Sequence, residues 1–225
     1  MKISIITLFP EMFKGPFEHS IVKRAIDKKI VTISLVNLRD FGLGKHKVVD
    51  DTPYGGGDGM VLRVDVLKNA IDATKDDKFK KNGQKVILLS AHGKQFNQVV
   101  ARKYSKLKHL IIVCGHYEGF DERIRKFIDE DISVGDFILT GGEIPAMLIT
   151  DSISRLIKSV IKEGSSSNES FSPLLEYPHY TKPQIFNKLK VPDILLSGNH
   201  NEIKKWRQKR SVEITKKLRP DLIKN

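Results

Sequence analysis

Continuous apolar runs alternate with helical patterns along the first two thirds of this chain. Five runs have the length of buried strands, and they cover residues 2–9, 31–38, 85–90, 109–114 and 132–139. Apolar positions with a helical period predict helices over residues 17–28, 64–75, 95–106, 121–129 and 143–161. Strands and helices that alternate in this way are typical of a mostly parallel sheet with helices on both faces. The pattern therefore predicts an α/β fold.

The alternation stops at residue 162, where the chain becomes small, polar and glycine-containing. A segment of this composition is typical of a linker, which we place at residues 162–174. Beyond it, residues 175–225 contain four prolines and a helical, basic stretch. The sequence thus predicts an α/β domain over residues 1–161, a flexible linker, and a small all-α basic domain at the C-terminus.

The segment from Tyr54 to Met60 contains four glycines within five positions. Such a run suits a backbone that takes positive φ angles or approaches a ligand closely. It is not a P-loop, because no Gly-Lys-Ser/Thr follows, and it lacks the strand and helix that flank a dinucleotide fingerprint. A flexible surface loop is the alternative interpretation.

Glycines also lie at the ends of three predicted strands. The strands over residues 85–90, 109–114 and 132–139 are followed or interrupted by glycines at positions 93, 115, 119, 135, 141 and 142. Open α/β sheets bind ligands just beyond the carboxyl ends of their strands. The three strand ends therefore predict one pocket for a small molecule.

The chain carries a formal net charge of +12 that is unevenly distributed. Residues 199–225 contain nine lysines and arginines against three acidic residues, so this segment alone contributes +6. Such clustering favours a polyanionic partner, most simply a nucleic acid, and a solvated basic helix face is the alternative. A membrane surface fits less well, because the segment lacks a broad apolar face.

The composition argues against several other classes of protein. The single cysteine, Cys114, permits neither an intramolecular disulfide nor a cysteine-rich zinc site, and we interpret it as a small buried residue. Residues 1–10 are too short for the apolar core of a signal peptide, and no apolar run approaches the length of a membrane span. These features predict a soluble cytoplasmic protein.

Seven motifs, in order along nearly the whole chain, resemble those of one family of RNA-modifying enzymes. They are Leu8–Phe13, Val49–Gly57, Gly115–Arg123, Ser133–Phe137, Thr140–Ala146, Pro178–Thr181 and Leu196–His200. On these motifs the chain is similar to the bacterial tRNA (guanine-N1)-methyltransferases, which methylate the guanosine 3′ of the anticodon. The resemblance is specific because all seven motifs occur together.

The resemblance implies a SPOUT-class fold with a C-terminal trefoil knot, which reasoning from the pattern alone would not propose. It also implies an obligate homodimer with shared active sites and a tRNA substrate recognised at the anticodon stem-loop. S-adenosyl-L-methionine would bind in the knot, mainly through backbone groups. The matching positions are Ser90, Gly93, Gly115, Tyr117, Glu118, Val134, Gly135, Asp136, Phe137, Ile138, Leu139, Gly141 and Pro145.

Methyl transfer to guanine needs a base, because N1 carries a proton at neutral pH, and a cation that stabilises charge on O6. The resemblance implies Arg155 as that cation. Where the family has an aspartate as the general base, in the linker, this chain has Glu169. We predict Glu169 as the base. If it is only a solvated linker charge, the rival acids are Asp50, Asp51, Asp136 and Glu118.

The resemblance also implies a set of substrate-binding residues, namely His46, Asp50, Gly57, Gly59, Asn199 and His200. For His46 the alternative is an exposed loop histidine, and for Trp206 packing in the small domain is favoured over stacking on a base. Glu118 and Glu169 could approach a Mg²⁺ ion, although the sequence has no dedicated ligand cluster. Ala91 and His116 depart from the proline and arginine that are common in the family.

Two rival functions stay open on the sequence alone. One is a knotted methyltransferase that acts at another RNA position, and the other is a tRNA-binding protein that lost catalysis through the change from Asp to Glu. Methyl transfer to unmodified tRNA, followed by mapping of the methylated nucleotide, separates the three hypotheses.

Overall fold

The computed structural model of the protein describes residues 1–79, 83–161 and 169–223. The chain forms two compact units, Met1–Ile161 and Lys162–Asn225. Residues 162–168 of the predicted linker lie outside the described residues. Each unit is described by itself below.

A five-stranded sheet forms the centre of the first unit. Its strands are β1 (Lys2–Thr7), β2 (Thr32–Asn37), β5 (Gln84–Gln95), β6 (His109–Val113) and β7 (Glu130–Ser133). They pair in the order β2-β1-β6-β5-β7, and every pair is parallel. Two-residue strands β3 (Asp50–Asp51) and β4 (Val61–Leu62) form a separate antiparallel pair. The predicted parallel sheet is therefore confirmed.

Four helices cover the two faces of this sheet, namely α1 (Ser20–Asp27), α2 (Val64–Thr74), α3 (Gln98–Tyr104) and α4 (Glu143–Ser154). Side chains alternate between the faces, as the period of a strand requires. Thus Ile5 packs in the core beneath α1, α3 and α4, whereas Ile6 packs in the core beneath α2. Because both faces are buried, the strands read as continuous apolar runs in the sequence.

Several element boundaries differ from the sequence prediction, and helices α1 and α3 each begin three residues later than predicted. The fifth predicted strand ends at Ser133 instead of residue 139, because the hydroxyl of Ser133 accepts a hydrogen bond from the amide of Gly135 and turns the chain. The predicted helix at 121–129 is a 3₁₀ helix, Glu122–Phe127, that begins at an Asp121 cap. Helix α4 ends at Ser154, and the following residues form i→i+3 turns.

Strand β5 is longer than predicted and is interrupted. Leu89 and Lys94 both pair with Ile132, so residues 90–93 leave the ladder between them. This interruption is where Ser90 and Gly93 lie. A strand that bulges in this way presents its backbone to the edge of the sheet, where a ligand can approach it.

The second unit is built around helix α5 (His200–Leu218). The hydroxyl of the buried Thr215 accepts a hydrogen bond from the amide of Leu175, and Ser211 donates to the carbonyl of Leu175. The helix agrees with the predicted helical character of this unit, but the prediction that the unit is all-α is wrong in one detail. The chain also forms a short antiparallel hairpin of β8 (Ile185–Phe186) and β9 (Leu189–Lys190). Within the described ranges, no helix is long and apolar enough to cross a membrane.

Candidate active site

A cavity of about 400 Å³ lies at the carboxyl ends of β5, β6 and β7. Its walls come from the interruption of β5, from the loop that follows β6, and from the loop between β7 and α4. Pockets for small molecules and cofactors have volumes of this size. The pocket that the glycine-bearing strand ends predict is therefore present in the structure.

Eleven of the thirteen predicted cofactor residues line this cavity. They are Ser90, Gly115, Tyr117, Glu118, Val134, Gly135, Phe137, Ile138, Leu139, Gly141 and Pro145. The other two, Gly93 and Asp136, do not line it. Asp136 is exposed on the loop after β7. A Cβ at Gly93 would lie 2.4 Å from the backbone of Ile132, so this glycine lets β5 approach β7 closely.

Close contacts with the backbone or with a side chain explain two glycines of the cavity wall. A Cβ at Gly142 would lie 2.7 Å from the Cα of Cys114, and the amide of Gly142 donates to the carbonyl of Gly115 at 2.8 Å. A Cβ at Gly115 would lie 2.7 Å from the ring of Phe120. The loop after β6 and the start of α4 therefore meet backbone to backbone at the base of the cavity.

A buried carboxylate connects three of the segments around the cavity. Glu143 is only 1% exposed, yet it accepts a hydrogen bond from the hydroxyl of Thr7 at 2.6 Å and contacts Nε2 of His116 at 2.8 Å. Thr7 ends β1, His116 lines the cavity, and Glu143 begins α4. Burial raises the pKa of the nearby Cys114 thiol, and the negative charge of Glu143 raises it further. Cys114 is therefore a buried thiol, as predicted.

A second polar cluster connects three other segments of the cavity wall. Ser90 donates to Asp131 at 2.8 Å, and Asp131 forms an ion pair with Arg125. Arg125 also pairs with Glu122 at 2.8 Å and approaches Nδ1 of His92 at 3.4 Å. These contacts join the interruption of β5, the 3₁₀ helix Glu122–Phe127 and β7 into one wall.

The glycine-rich loop adjoins the cavity through backbone hydrogen bonds. Its glycines at positions 55, 56, 57 and 59 all have positive φ angles, as the sequence predicts. The amide of Glu118 donates a hydrogen bond to the carbonyl of Met60, and the amide of Leu62 donates one to the carbonyl of Gly119. A Cβ at Gly59 would lie 2.5 Å from the side chain of Glu118. Tyr54, at the start of the loop, is fully exposed.

The predicted substrate residues fall in two groups. Asp50, in β3, pairs with Leu62 beside this loop, and Gly57 and Gly59 lie within it. His46 is exposed in the turn between Leu43 and Val48. In the second unit, Asn199 and His200 are both exposed at the start of α5. The Asn199 side chain accepts from the amide of Glu202, so it also caps this helix.

The two predicted catalytic residues belong to different compact units. Arg155 is the C-cap of α4 in the first unit, and Glu169 is partly exposed at the start of the described part of the second. In that unit Trp206 is half-buried, 6.5 Å from the ring of Tyr180, which favours the packing interpretation. Within the described ranges, no three His, Cys, Asp or Glu side chains are grouped closely enough to hold a metal ion.

Comparisons with known proteins identify the family. The model of the tRNA (Guanine-1)-methyltransferase TrmD family matches residues 1–225. The chain belongs to this family. It is 52% identical to the tRNA (guanine-N(1)-)-methyltransferase of Dehalococcoides mccartyi, over 99% of this chain and 90% of that protein. It is 53% and 54% identical to the enzymes of the same name from Carboxydothermus hydrogenoformans and Clostridium beijerinckii, over the whole chain and 88% and 92% of those proteins.

Membership of the tRNA (guanine-1)-methyltransferase family confirms the resemblance seen in the seven motifs. The chain is an enzyme that methylates guanine in tRNA. The motifs did not reveal the contact of Thr7 with Glu143, which joins residues 136 positions apart. The signal in the sequence that could have drawn attention to Glu143 is its position directly after Gly141 and Gly142.

Proposed function

We propose that the chain transfers a methyl group from S-adenosyl-L-methionine to N1 of the guanosine 3′ of the anticodon. The observation that carries this proposal is the cavity of about 400 Å³ lined by eleven residues of the expected donor site. The tRNA provides the guanine, and the reaction belongs to the cytoplasm, where tRNA is modified.

The lining of the cavity fits this methyl donor. Val134, Phe137, Ile138, Leu139 and Pro145 offer apolar surface for an adenine ring, while the glycine turns offer backbone donors and acceptors. When bound, S-adenosyl-L-methionine supplies a methyl carbon already activated by the positive sulfur, which keeps the bonding electrons when the carbon–sulfur bond breaks. The chain therefore has mainly to align the donor with the guanine.

The residues of the chain supply the proton transfer and the charge stabilisation. Glu169 takes the proton from guanine N1, and the freed lone pair of N1 forms the new bond to carbon. Arg155 stabilises the negative charge that develops on O6 as the proton leaves. The carboxylate of Glu169 keeps the chemistry of the family's aspartate and adds one methylene group.

The proposal includes the assembly that the family resemblance implies. Two chains form a homodimer in which each active site takes its donor cavity from one subunit and its linker carboxylate from the other. The cofactor region carries a trefoil knot, and the second unit binds the anticodon stem-loop with its basic surface. The concentration of half the net charge in residues 199–225 supports this last role.

Transfer of a labelled methyl group tests the proposed reaction. The enzyme is incubated with tritiated S-adenosyl-L-methionine and unmodified tRNA, and the methylated nucleotide is mapped. We expect label on N1 of the guanosine 3′ of the anticodon, and none on a matched tRNA with adenosine there. Label at another guanosine would contradict the position, and absence of label would contradict the donor. Repeating the assay with a chelator tests the predicted Mg²⁺ assistance.

A further inference from the structure

Glu143 places a buried carboxylate beneath the cavity, in contact with Thr7 and His116. Glu143 is 1% exposed and Thr7 is 0% exposed, whereas the ring of His116 keeps 17% of its side-chain surface exposed. Burial of a carboxylate is costly unless it is paired and hydrogen-bonded. Of the three residues, only His116 lines the cavity. If Glu143 served only to stabilise the fold, apolar side chains could replace it. Its contact with His116, which lines the cavity, therefore suggests that Glu143 affects what the cavity binds.

The hydrogen-bond directions assign the proton on the histidine ring. Thr7 donates its hydroxyl proton to Oε1 of Glu143, and its oxygen accepts from the amide of Phe9 at 2.9 Å. Glu143 is the first residue of α4, where the helix amides favour the ionised carboxylate. An ionised carboxylate only accepts hydrogen bonds, so Nε2 of His116 must donate to Oε2 at 2.8 Å. Glu143 therefore keeps the proton on Nε2.

The ring of His116 is held from three sides. Besides the contact with Glu143, the ring of Phe9 lies edge-on at a centroid distance of 4.7 Å. A Cβ at Gly141 would fall 2.3 Å from Nε2, so the turn before α4 also closes on the ring. In the parts of the chain that the structure describes, Nδ1 has no hydrogen-bond partner. Nδ1 is thus the one polar atom that this fixed ring can offer to a ligand.

We propose that Glu143 is a positioning residue that fixes the ring and the proton of His116, so that Nδ1 serves as a hydrogen-bonding atom of the methyl-donor cavity. The proposal rests on the proposed function only in that the cavity binds the donor. It assigns Glu143 an effect on donor affinity rather than on the transfer step, since the carboxylate lies beneath the wall of the cavity.

The substitution Glu143→Gln separates this role from simple support of the fold. The amide of glutamine keeps the shape of the side chain and still accepts from Thr7, but its nitrogen donates to Nε2 of His116. The proton of the ring then moves to Nδ1, which reverses the hydrogen-bonding character that the ring offers to the cavity. Nitrogen NMR of histidine-labelled protein reports this change, with the His116 signals assigned by their loss in His116→Asn. A wild-type ring that carries no proton on Nε2 would overturn the assignment.

Donor binding provides the second readout. We expect the Kd for S-adenosyl-L-methionine, measured by calorimetry, to rise about tenfold in Glu143→Gln, the effect of losing one hydrogen bond between the methyl donor and Nδ1 of the ring. The single-turnover rate at saturating donor should stay within about threefold of the wild type, since the reacting groups are unchanged. In a His116→Asn background, the same substitution should change the Kd by less than about twofold, because Glu143 acts through that ring.

The matched control is Ser4→Ala, which removes another buried hydroxyl of β1 that contacts a histidine. Ser4 lies 2.9 Å from Nε2 of His109, away from the cavity lining. This variant should lose stability and keep the wild-type Kd. An unchanged Kd in folded Glu143→Gln, or an equal loss in both backgrounds, would refute the proposal. Failure of the wild type itself to bind the donor would instead refute the proposed function of the cavity.

Discussion

Glu169 is the general base of the proposed reaction, and replacing one oxygen of its carboxylate by an amide nitrogen tests that role. Glu169→Gln keeps the size of the side chain but cannot take the proton from guanine N1. We expect the single-turnover rate of methyl transfer to fall about a hundredfold to ten-thousandfold, the usual contribution of a positioned base. Donor affinity should stay unchanged, because the donor cavity lies in the first unit, where Glu169 does not belong.

Glu169→Asp is the informative companion variant. It shortens the side chain to the length of the family's own residue, so most of the activity should remain. Single-turnover rates are the right measurement because they separate chemistry from product release. A wild-type rate in Glu169→Gln would move the role of the base to another acid, with Asp50 or Asp136 as the next candidates.

His109 makes the stability of the first unit depend on pH. It is completely buried, with Nδ1 2.7 Å from Oε1 of Gln84 and Nε2 2.9 Å from the hydroxyl of Ser4. Burial, together with the smaller effect of the charge of Lys2, lowers its pKa from 6.5 to about 4. Between pH 6.5 and pH 4 the ring of His109 is therefore protonated in the unfolded chain and neutral in the folded chain. This contribution to stability is complete above pH 6.5 and is lost as the pH falls towards 4.

Replacement of His109 by glutamine should remove that dependence. Glutamine can still hydrogen-bond to Ser4 and Gln84 but does not titrate. Between pH 7 and pH 4.5 the wild type should lose about 2–3 kcal/mol more of its free energy of unfolding than the variant does. Urea denaturation at several pH values measures both curves. Parallel curves would show that the ring titrates with the same pKa in the folded and the unfolded chain, which would contradict the lowered pKa.

At the scale of elements, the ends of β5, β6 and β7 build the cavity because their backbones come close together. A side chain at Gly115 would meet the ring of Phe120 and intrude on the wall of the cavity. We therefore expect Gly115→Val to weaken S-adenosyl-L-methionine binding more than tenfold, a loss of at least one hydrogen-bond equivalent. Calorimetry measures the affinity, and circular dichroism confirms the fold. Unchanged affinity in the folded variant would place the donor elsewhere.

The main elements could be predicted because their apolar periods are local and strong. Strands β1, β2 and β6 and helix α2 lie within two residues of their predicted bounds. The errors arise where one side chain overrides the pattern. The hydroxyl turn at Ser133 ends β7 early, although apolar residues continue to Leu139. Two-residue strands such as β3 and β8 carry too few positions for any period to appear.

The site could be predicted in part for the same reason. Glycines at strand ends mark a cavity locally, and the family motifs supplied the other lining residues. The network of Thr7, His116 and Glu143 could not be predicted, because each residue is ordinary in its own segment. Their contact exists only after β1, β6 and α4 have assembled around the sheet.

At the scale of the whole molecule, the charge distribution predicts how tRNA binding responds to salt. Lys205 and Lys209 lie on one face of α5. Replacing both by glutamine should flatten the slope of log K against log salt by about 1.5, the loss of two phosphate contacts. The control replaces Lys23 and Lys28 of the first unit, which removes the same charge. Fluorescence anisotropy at several salt concentrations measures the slopes, and equal changes in both variants would contradict a special role for α5.

The proposed shared active site makes a quantitative prediction about mixed dimers. Glu169→Gln subunits have an intact donor cavity, and Gly115→Val subunits have an intact base. At a concentration of S-adenosyl-L-methionine well below the Kd of the Gly115→Val cavity, both homodimers should therefore have little activity. In a mixed dimer, one site combines both intact parts and the other combines both defects. Random exchange makes half of the dimers mixed, so about a quarter of the wild-type activity should return. If each active site lay within one chain, every site would keep a defect, and mixing would restore nothing even where mass spectrometry shows that the subunits have exchanged.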